Sequence, residues 1–536
     1  MPRLHRIRPR FQALTLIATL FLVSLSAGRA KAQPSPDAAA TTGHLVLVLP
    51  FDNRSGQSNL AWIGDSFPDT LDRRLNSAGF LTITRDDRVY ALDHLGLPTD
   101  FKPTRATTIR IAQTLDADYV VVGSYNITNG RISVQAQVLA VGQLRMSAPL
   151  EDSAELPRLF DVENAIAWKV ARQIDPQLKI AEQTFLAAGG VKLSSFESYI
   201  RGISAPNPQE RIKRLEAAVQ ETPNYSAALL ALGKAQYAQL DYEHAAATLA
   251  KVPLDDRLAL EANFYLGLAR FNLAKYADAE SAFTFVAGRL PLPEVVNNQG
   301  VAATRQGQDG VALFQRSSAA DPADADYHYN LAVSFLRRGD FAAAQTEIDA
   351  ALKLRPNDSD ATQLRTRIAA GRNTTAAAFD PLERIRRTYS EASFRQAAFL
   401  LDQVRAARMA ALPPADQAKE YIQLGQQYLG QGLVPEAEQQ FESAIAAQPN
   451  SSLAHAGLAL VRERSASAGD ARTEAQTSIR LAPNANAYLV LARLDMSSNN
   501  LAAAASDVGN ALRLEPRNAA AQAMKLALQQ RDQSLP

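Results

Sequence analysis

One set of residues in the chain has the types that nucleophilic catalysis needs. Gly64-Asp65-Ser66 matches the short pattern around an esterase serine, and Asp241-Tyr242-Glu243-His244 contains the Asp-x-x-His spacing that completes such a triad. An esterase serine follows a buried strand, whereas Ser66 falls in the first turn of a predicted helix, more than 170 residues before the Asp-x-x-His. We therefore expect Asp65 or Ser66 to cap that helix, and hydrolysis is only the third hypothesis.

Other residues suited to catalysis or metal binding are scattered. The histidines are His5, His44, His94, His244, His328 and His455. No His-Glu-x-x-His pattern and no carboxylates at ligand spacing accompany them, and the sequence has no phosphate-binding Gly-x-x-x-x-Gly-Lys loop. The absence of cysteine excludes disulfides, thiolate metal clusters and a cysteine nucleophile. The sequence therefore predicts no enzyme activity, no metal site and no cofactor.

The charge balance of the chain argues against nucleic acid as a partner. The 536 residues contain 56 Lys and Arg against 55 Asp and Glu, and the first 32 residues hold six of the basic residues and no acidic ones. Without this segment the balance is 50 − 55 = −5. A mildly acidic chain does not form the basic surface that a nucleic-acid backbone requires.

The start of the chain has the pattern of an export signal. An arginine-rich head precedes an apolar run from about Phe11 to Leu25, and Ala30-Lys31-Ala32 follows. We expect residues 1–32 to be a signal peptide cleaved after Ala32, with an uncleaved membrane anchor as the alternative. Residues 33–42 are then a flexible leader. A cysteine-free exported chain suits the bacterial periplasm, and membrane association would come only through that anchor or through a partner.

Residues 43–178 alternate between strand and helix periodicities. The apolar run from His44 to Pro50 predicts a buried strand, and a segment with Ile63, Phe67, Leu71 and Leu75 at intervals of four predicts an amphipathic helix. Further patterns predict a strand at 80–84, a helix at 107–115, a hairpin of strands 119–125 and 132–139 with Asn-Gly at 129–130, and a helix at 156–174. The β-α-β-α-β-β-α order predicts a small mixed sheet covered by helices.

Three blocks of this region carry a resemblance to a known family. LVLVLPFDNRSG, WIGDSFPDTLDRRLNSAGFLTITRD and IAQTLDADYVVVGSYNITNGRISVQAQVLAVGQL resemble, in this order, the amino-terminal domain of TolB and its FlgO-like and CsgG-like envelope relatives. The resemblance covers about 100 residues. It implies a non-enzymatic domain associated with envelope assembly or attached as an accessory module to helical repeats.

The rest of the chain repeats with a period of about 34 residues, which resembles the tetratricopeptide pattern. One strong copy gives Leu266-Gly267, Phe271, Tyr276, Ala279, Phe283 and Pro291, and the others cover residues 327–356, 421–449 and 488–516. Weaker copies fill the gaps, and one of them, with a truncated first helix, contains Tyr389, Phe394, Ala397, Leu401 and Val404. The fold class predicted is a small α/β domain followed by an all-α tetratricopeptide solenoid, a right-handed superhelix of helical hairpins.

A break in the repeat register divides the solenoid. We expect block 1 at residues 194–370, a joint at 371–380 where GRNTTAAA has no helical period, and block 2 at 381–530. Small residues such as Gly267 and Gly425 should let the two helices of a hairpin approach closely. A final helix from about Ala519 to Gln530 is expected to cover the last apolar face.

The concave wall of such a solenoid is lined by first helices and holds peptides or proteins. The register places these residues on that wall: Lys234, Tyr237, Phe264, Asn272, Tyr329, Arg337, Ile422, Gln426, Arg493 and Met496. Asn298 and Asn330 recur in adjacent units, but no ladder of lysines accompanies them. A clamp for a carboxyl terminus is therefore not predicted.

Two hypotheses follow, and the sequence leaves them open. The first is an exported, non-enzymatic scaffold that binds protein partners through its repeat groove in cell-envelope assembly or maintenance. The alternative is a periplasmic sensory or ligand-binding module, with a small molecule in the α/β domain near Asp52, Asn53 and Ser55. The identity of the partner and the oligomeric state are not encoded in a readable motif.

Overall fold

A computed structural model describes residues 44–97, 104–178, 180–186, 191–371, 380–389, 408–409, 411–430 and 433–531. The expected signal peptide and leader lie outside these residues, as does most of the expected joint. The chain divides into two compact units, with boundaries between residues 228 and 229 and between residues 402 and 403. The first unit contains residues 229–402, and the second contains 41–228 together with 403–536.

The second unit begins with a mixed β-sheet. Its strands are β1 (Leu45–Val48), β2 (Asp52–Asn53), β3 (Leu81–Thr82), β4 (Tyr119–Thr128), β5 (Arg131–Ala140), β6 (Arg145–Met146) and β7 (Leu150–Glu155). The order is β3-β1-β4-β5-β6, with β2 paired to β4 and β7 paired to β5. β1 is parallel to β3 and β4, whereas β5 is antiparallel to β4, β6 and β7. The predicted mixed sheet is therefore confirmed.

The sequence sets the register of the long hairpin β4–β5 through its turn. Asn129 and Gly130 have positive φ angles of 53° and 76°, which two-residue hairpin turns require and which these two residue types adopt readily. Thr128 pairs with Arg131 and Ile127 with Ile132, so that alternate apolar residues of β5 point into the core.

Helices cover both faces of this sheet. They are α1 (Trp62–Ser77), α2 (Arg85–His94), α3 (Arg105–Thr114) and α4 (Leu159–Ile174). The four residues at intervals of four on α1 are all fully buried, as their spacing predicts. On the opposite face, Leu47 and Val120 of the sheet pack in one core with Ile111 of α3.

The order of elements is longer than the sequence patterns predicted. The helix α2 and the strand β7 were missed because neither has a clear apolar period: RDDRVYALDH is mostly polar, and LEDSAE is an edge strand. The hydroxyl of Thr84 accepts from the Asp87 backbone N–H at 3.2 Å and caps α2.

The first unit consists of consecutive helices, each packed on the next. They are α9 (Tyr242–Leu249), α10 (Ala259–Asn272), α11 (Tyr276–Ala287), α12 (Pro293–Thr304), α13 (Val311–Ala320), α14 (Ala325–Arg338), α15 (Phe341–Leu354) and α16 (Ser359–Ala370). The preceding helix α8 (Ser226–Ala238) contains the unit boundary. The early end of α9 before Pro253 agrees with its weak repeat copy.

The second unit contains the other hairpins. Its helices are α5 (Glu182–Leu186), α6 (Leu193–Ser204), α7 (Pro208–Glu221), α17 (Pro414–Gly430), α18 (Val434–Ala447), α19 (Ser452–Arg464), α20 (Ala468–Leu481), α21 (Ala485–Ser497), α22 (Leu501–Leu514) and α23 (Ala519–Gln529). The helix α6 lies against α1, where the Tyr199 hydroxyl donates to Asp69 at 3.0 Å and the Ser204 hydroxyl to Asp65 at 2.8 Å. Every helix in the described ranges is too short or too polar to cross a bilayer.

Close approach of paired helices depends on glycine. A Cβ atom built on Gly425 of α17 would lie 2.8 Å from the ring of Phe441 in α18. Phe441 is completely buried, so the ring has no free volume into which to move. The expectation that Gly425 permits the approach of its hairpin is confirmed by this geometry.

We expect Gly425→Ala to destabilise the second unit by about 1–3 kcal/mol, because the added methyl group overpacks the Phe441 ring. Gly469→Ala is the matched control, since Gly469 is also helical but has no atom within 4 Å of the added Cβ. This control should gain about 0.5–1 kcal/mol from helix propensity. Thermal unfolding, with hydrogen exchange of α17 and α18 for Gly425→Ala and of α20 for Gly469→Ala, measures the two effects, and equal shifts for the two variants would contradict the packing argument.

Candidate functional site

The loop after β1, which the alternative hypothesis names as a ligand site, is held by its own hydrogen bonds. The side-chain oxygen of Asn53 accepts from the Ser55 backbone N–H at 2.9 Å and from the Ser55 hydroxyl at 2.6 Å. The side-chain nitrogen of Asn53 donates to the Gln57 carbonyl at 3.0 Å. A carboxylate oxygen of Asp52 lies 3.9 Å from Nε of Arg54. These bonds give Asn53 and Ser55 a role in forming the turn.

Ser66 lies inside the α/β domain rather than at its surface. It is completely buried, and its hydroxyl lies within hydrogen-bond distance of the Glu163 carboxylate and of the Ile63 carbonyl. The Thr70 hydroxyl donates to the other oxygen of Glu163 at 2.8 Å. Burial raises the pKa of Glu163 to about 7, although both hydroxyl bonds oppose the shift. Ser66 therefore belongs to a buried polar cluster that joins α1 to α4.

The expectation that Asp65 or Ser66 caps α1 is wrong. The helix begins at Trp62 and has Ala61 at its N-cap, without a side-chain cap bond, so both residues lie within the helix. Asp241 does cap α9, and its carboxylate accepts from the His244 backbone N–H at 3.3 Å and lies 2.9 Å from Nδ1 of His244. Among the described residues, no three His, Asp or Glu side chains are grouped to hold a metal ion.

Two histidines have the same environment in the two units. Nδ1 of His328 lies 2.7 Å from Glu347 and its Nε2 lies 3.2 Å from the Pro322 carbonyl. His455 repeats both contacts with Glu474 at 2.7 Å and Pro449 at 3.0 Å. The hydrogen bond with Glu347 raises the pKa of His328. These histidines connect the two helices of a hairpin and have a structural role.

The groove of the first unit contains a segment of the chain itself. Residues 380–389 have no helical or strand assignment, and they lie against α10, α12, α14 and the start of α16. We call residues 381–389, with the sequence PLERIRRTY, the groove segment. Its contacts show how this groove holds an extended peptide.

Asparagine side chains bind the backbone of the groove segment. Asn330 accepts from the backbone N–H of Arg384 at 2.7 Å and donates to the carbonyl of the same residue at 2.8 Å. Asn298 makes the same pair of bonds with Arg386, both at 2.7 Å. Asn297 donates to the Arg384 carbonyl at 3.0 Å and accepts from Asn330 at 2.7 Å. All three asparagines are completely buried with the segment in place, and their side-chain amides supply both donors and acceptors for peptide backbone.

An acidic side chain of the groove segment enters a pocket formed by two arginines. The Glu383 carboxylate accepts a hydrogen bond from Arg337 and lies 3.7 Å from Arg305. Arg337 also donates to the Pro381 carbonyl at 2.9 Å. Because the Glu383 side chain is fully buried, its charge depends on these two guanidinium groups for compensation.

Two arginines of the groove segment bind carboxylates and aromatic rings of α14, the N-cap residue of α14 and the turn that precedes α16. The Arg384 guanidinium donates to Asp358 at 2.6 and 2.8 Å and to Asp326 at 2.9 Å, and it lies 3.8 Å from the centre of the Tyr329 ring. Hydrogen bonds from Arg384 lower the pKa of Asp358 to about 2. Arg386 forms ion pairs with Asp324 and Asp326 and lies 5.1 Å from the Tyr327 ring.

Apolar side chains of the groove segment fill the space between these polar contacts. Ile385 packs against the cluster that contains Val301, Phe314 and Leu331. The Tyr389 ring meets the Phe264 ring edge to face, with 4.9 Å between their centres. The groove therefore has separate positions for an acid, an arginine, an aliphatic residue and a second arginine.

Several residues predicted for the groove lie beside this segment. Tyr329 and Arg337 contact it directly, and so does Phe264, whereas Tyr237 packs on the same apolar cluster as Tyr389. Two other predicted residues interact within their own helices or with a neighbour. Lys234 forms an ion pair with Glu261 at 2.7 Å, and Asn272 donates to the Leu268 carbonyl at 2.8 Å.

The remaining predicted residues lie in the second unit. Ile422 and Met496 pack in apolar clusters, and Gln426 is exposed. Arg493 donates to both carboxylate oxygens of Glu463, at 2.5 and 2.6 Å. This ion pair lines a pocket of about 430 Å³ together with Leu460, Arg464, Asn486, Leu489, Asn518 and Ala520. These four residues belong to a different unit from the groove segment.

Comparison with known families explains the helical hairpins. Residues 302–368 and 422–486 match the family described as tetratricopeptide repeat. These segments are tetratricopeptide repeats. The first match includes Tyr329, Asn330 and Arg337 of the groove, and repeats of this kind are scaffolds that bind protein or peptide partners. No match to a curated protein sequence is found.

Solved structures resemble parts of the chain. The LpoB C-terminal domain from Salmonella enterica is 24% identical, with a TM-score of 0.19, over 22% of this chain and 87% of that domain. MamA from Desulfovibrio magneticus RS-1 is 21% identical, with a TM-score of 0.29, over 32% and 100% of the two chains. YrrB, described as a tetratricopeptide protein with an unusual peptide-binding site, is 14% identical, with a TM-score of 0.26, over 45% and 95%.

The tetratricopeptide register misled the prediction at Tyr389, which was expected to lie on the truncated first helix of a weak copy. Tyr389 instead lies in a segment without helical structure, in which the backbone N–H groups of residues 384 and 386 bond to asparagine side chains and not to preceding carbonyls. The other residues of that weak copy lie outside the described residues. Sequence reasoning noted Asn298 and Asn330 but tested them only against a carboxylate clamp. The signal was the recurrence of buried asparagines on consecutive first helices at Asn263, Asn297 and Asn330.

Proposed function

We propose that the protein is an exported, non-enzymatic scaffold whose tetratricopeptide groove in the first unit binds an extended segment of a protein partner. The observation that carries this proposal is the pair of asparagines, Asn298 and Asn330, each bonded to both backbone groups of one residue in an extended peptide. Backbone bonds of this kind give affinity for extended chains, and the side-chain positions beside them give specificity.

The location and cellular role belong to the same proposal. The arginine-rich, apolar start of the chain supports export through a cleaved signal, and the lack of cysteine suits the periplasm. The α/β domain resembles TolB-type amino-terminal domains in three sequence blocks, which supports a role in cell-envelope assembly or maintenance. In this proposal the α/β domain docks to an envelope component while the repeats hold the partner.

The test is affinity capture after crosslinking in intact cells with the full chain, its Asn298→Ala/Asn330→Ala variant and an Asn263→Ala control. Asn263 occupies the corresponding repeat position, but its amide donates to the Ala259 carbonyl of its own helix at 2.8 Å. We expect the double variant to lose at least about 90% of one or more captured proteins, since the four backbone bonds contribute roughly 1 kcal/mol each. Recovery of the same proteins in equal amounts from all three chains would contradict groove binding.

Export is tested separately on the same cells. Periplasmic fractionation followed by sequencing of the mature amino terminus should give a protein that starts at Gln33. A full-length protein in the cytoplasmic fraction would contradict the location without affecting the groove.

A further inference from the structure

We propose that residues 381–386 are a built-in ligand of the first unit's groove, and that the natural partner segment is an extended peptide with the order Glu-Arg-aliphatic-Arg that binds by displacing them. The inference rests on the proposed function, because it specifies which peptides the scaffold accepts. The partner is a segment of another protein, identified by this side-chain order.

The backbone contacts cannot supply this selectivity. Asn298 and Asn330 bond to N–H and C=O groups that nearly every residue type offers, so they select an extended chain and fix its position. The spacing of the two asparagines matches residues 384 and 386 of the segment, which face the same side of an extended backbone. The register of any bound peptide is set in this way.

The side-chain positions supply the selectivity. At the position of Glu383, the guanidinium groups of Arg337 and Arg305 would lose the carboxylate that they share if the peptide carried an apolar residue, and they would meet a like charge if it carried a basic one. At the position of Arg384, a flat cation fits between two carboxylates and the face of an aromatic ring. Such sites reject a wrong residue more strongly than an apolar pocket does, because a mismatch leaves a buried charge unpaired.

The contacts of the segment are suited to exchange. They are made by side chains of the helices, so any extended peptide of the same order can replace them without changing the helix packing. The segment also belongs to the same chain as the helices that it contacts. A ligand in the same chain competes at a high effective concentration, and the apparent affinity of a free partner is its intrinsic affinity multiplied by the fraction of grooves that the segment leaves open.

The experiment measures binding of a fluorescent peptide with the sequence of residues 380–387 to full chains. The probe DPLERIRR is compared with a scrambled peptide of identical composition in which the glutamate and isoleucine are exchanged. The chains are the unaltered protein, an opened variant with Glu383→Ala, Arg384→Ala and Arg386→Ala, and a Leu382→Ala control. Leu382 is a suitable control because more than half of its surface is exposed.

We expect the opened variant to bind the probe at least about tenfold more tightly than the unaltered protein, while Leu382→Ala behaves as the unaltered protein does. The scrambled peptide should bind at least about tenfold more weakly than the probe. Equal binding by the unaltered and opened chains would overturn displacement, and equal binding of the two peptides would overturn the side-chain order. Neither result would alter the dependence of captured partners on Asn298 and Asn330. Failure of this inference is therefore distinguishable from failure of the proposed function.

Two further measurements keep the test decisive. Circular dichroism shows whether the opened variant retains its helices. If it does not, the variant Arg337→Glu replaces it, and this variant should prefer a peptide with lysine in place of glutamate over the probe. An unchanged preference for the probe would overturn the proposal. Light scattering measures the oligomeric state. A concentration-dependent dimer formed through the same segment would overturn the assignment of the partner to another protein, because the groove would then bind a second copy of this chain.

Discussion

Replacing both Asn298 and Asn330 by alanine is expected to release the groove segment and expose it to trypsin. The substitutions remove four hydrogen bonds to the segment's backbone, at roughly 1 kcal/mol each, or about 4 kcal/mol in total. When cleavage is slow relative to closing, its rate follows the population of the open form. Cleavage after Arg384, Arg386 and Arg387 should therefore accelerate at least about 100-fold, measured by mass spectrometry of timed digests.

Asn263→Ala is the control for this measurement, because it removes the same side chain from a corresponding buried position without removing one of these bonds. Its cleavage rate at the three arginines should stay within about threefold of the unaltered protein. If the double variant is cleaved no faster than the control, the ion pairs of Glu383 and Arg384 hold the segment without help from the asparagines. The rates of cleavage at exposed arginines outside the groove segment, measured in the same digests, distinguish local release of the segment from general unfolding.

Replacing Glu163 by glutamine is expected to stabilise the α/β domain at alkaline pH. The folded-state pKa of Glu163 is raised by burial to about 7, above its ordinary value of 4.5, so folding disfavours the ionised form. The resulting loss of stability begins as pH rises above 4.5 and is complete above about 7, and it corresponds to about 3 kcal/mol. Glutamine carries no charge and can keep both bonds, accepting from one hydroxyl and donating to the other.

The two tryptophans of the chain allow this to be measured without interference from the repeats. Trp62 lies in α1 and Trp168 in α4, so tryptophan fluorescence during urea unfolding reports on the α/β domain. Glu163→Gln should match the unaltered domain near pH 4.5 and exceed it by about 3 kcal/mol near pH 8.5. Glu216→Gln, on the exposed face of α7, should show no such divergence. A constant difference between the Glu163 variant and the unaltered domain at all pH values would refute the raised pKa.

Local patterns predicted the elements that local physics determines. The apolar interval of four on α1, the Asn129-Gly130 turn of the β4–β5 hairpin and the small residue at Gly425 each depend on neighbours close in sequence or on the repeat register, and the structure confirms them. The small mixed sheet and the helical hairpins followed from the same patterns. Where a pattern was weak, as in the polar α2 and the edge strand β7, the element was missed.

The groove contacts could not be read from the sequence, because they join residues far apart in the chain. Asn298 binds a residue 88 positions away, and Ser66 meets Glu163 across 97 positions. Nothing local in the sequence around Arg384 marks an extended segment, because the asparagines that bind its backbone lie 54 and 88 positions away. The repeat register instead extended a helix through Tyr389. The register did place Tyr329 and Arg337 correctly on the groove side of their helix. A repeat period determines which side of a helix a residue occupies, even when the group that it contacts is unknown.

The groove segment also has a mechanical consequence. In a stack of helical hairpins each repeat touches only its neighbours, so the stack can bend and extend by small changes at each contact between repeats. The groove segment touches α10, α12, α14 and Asp358 at the start of α16, and therefore ties non-adjacent repeats of the first unit together. With the segment in place, its contacts resist movement of these repeats relative to one another. Without the segment, the same repeats can move more easily. The occupancy of the groove thus sets the stiffness of the repeats that form it.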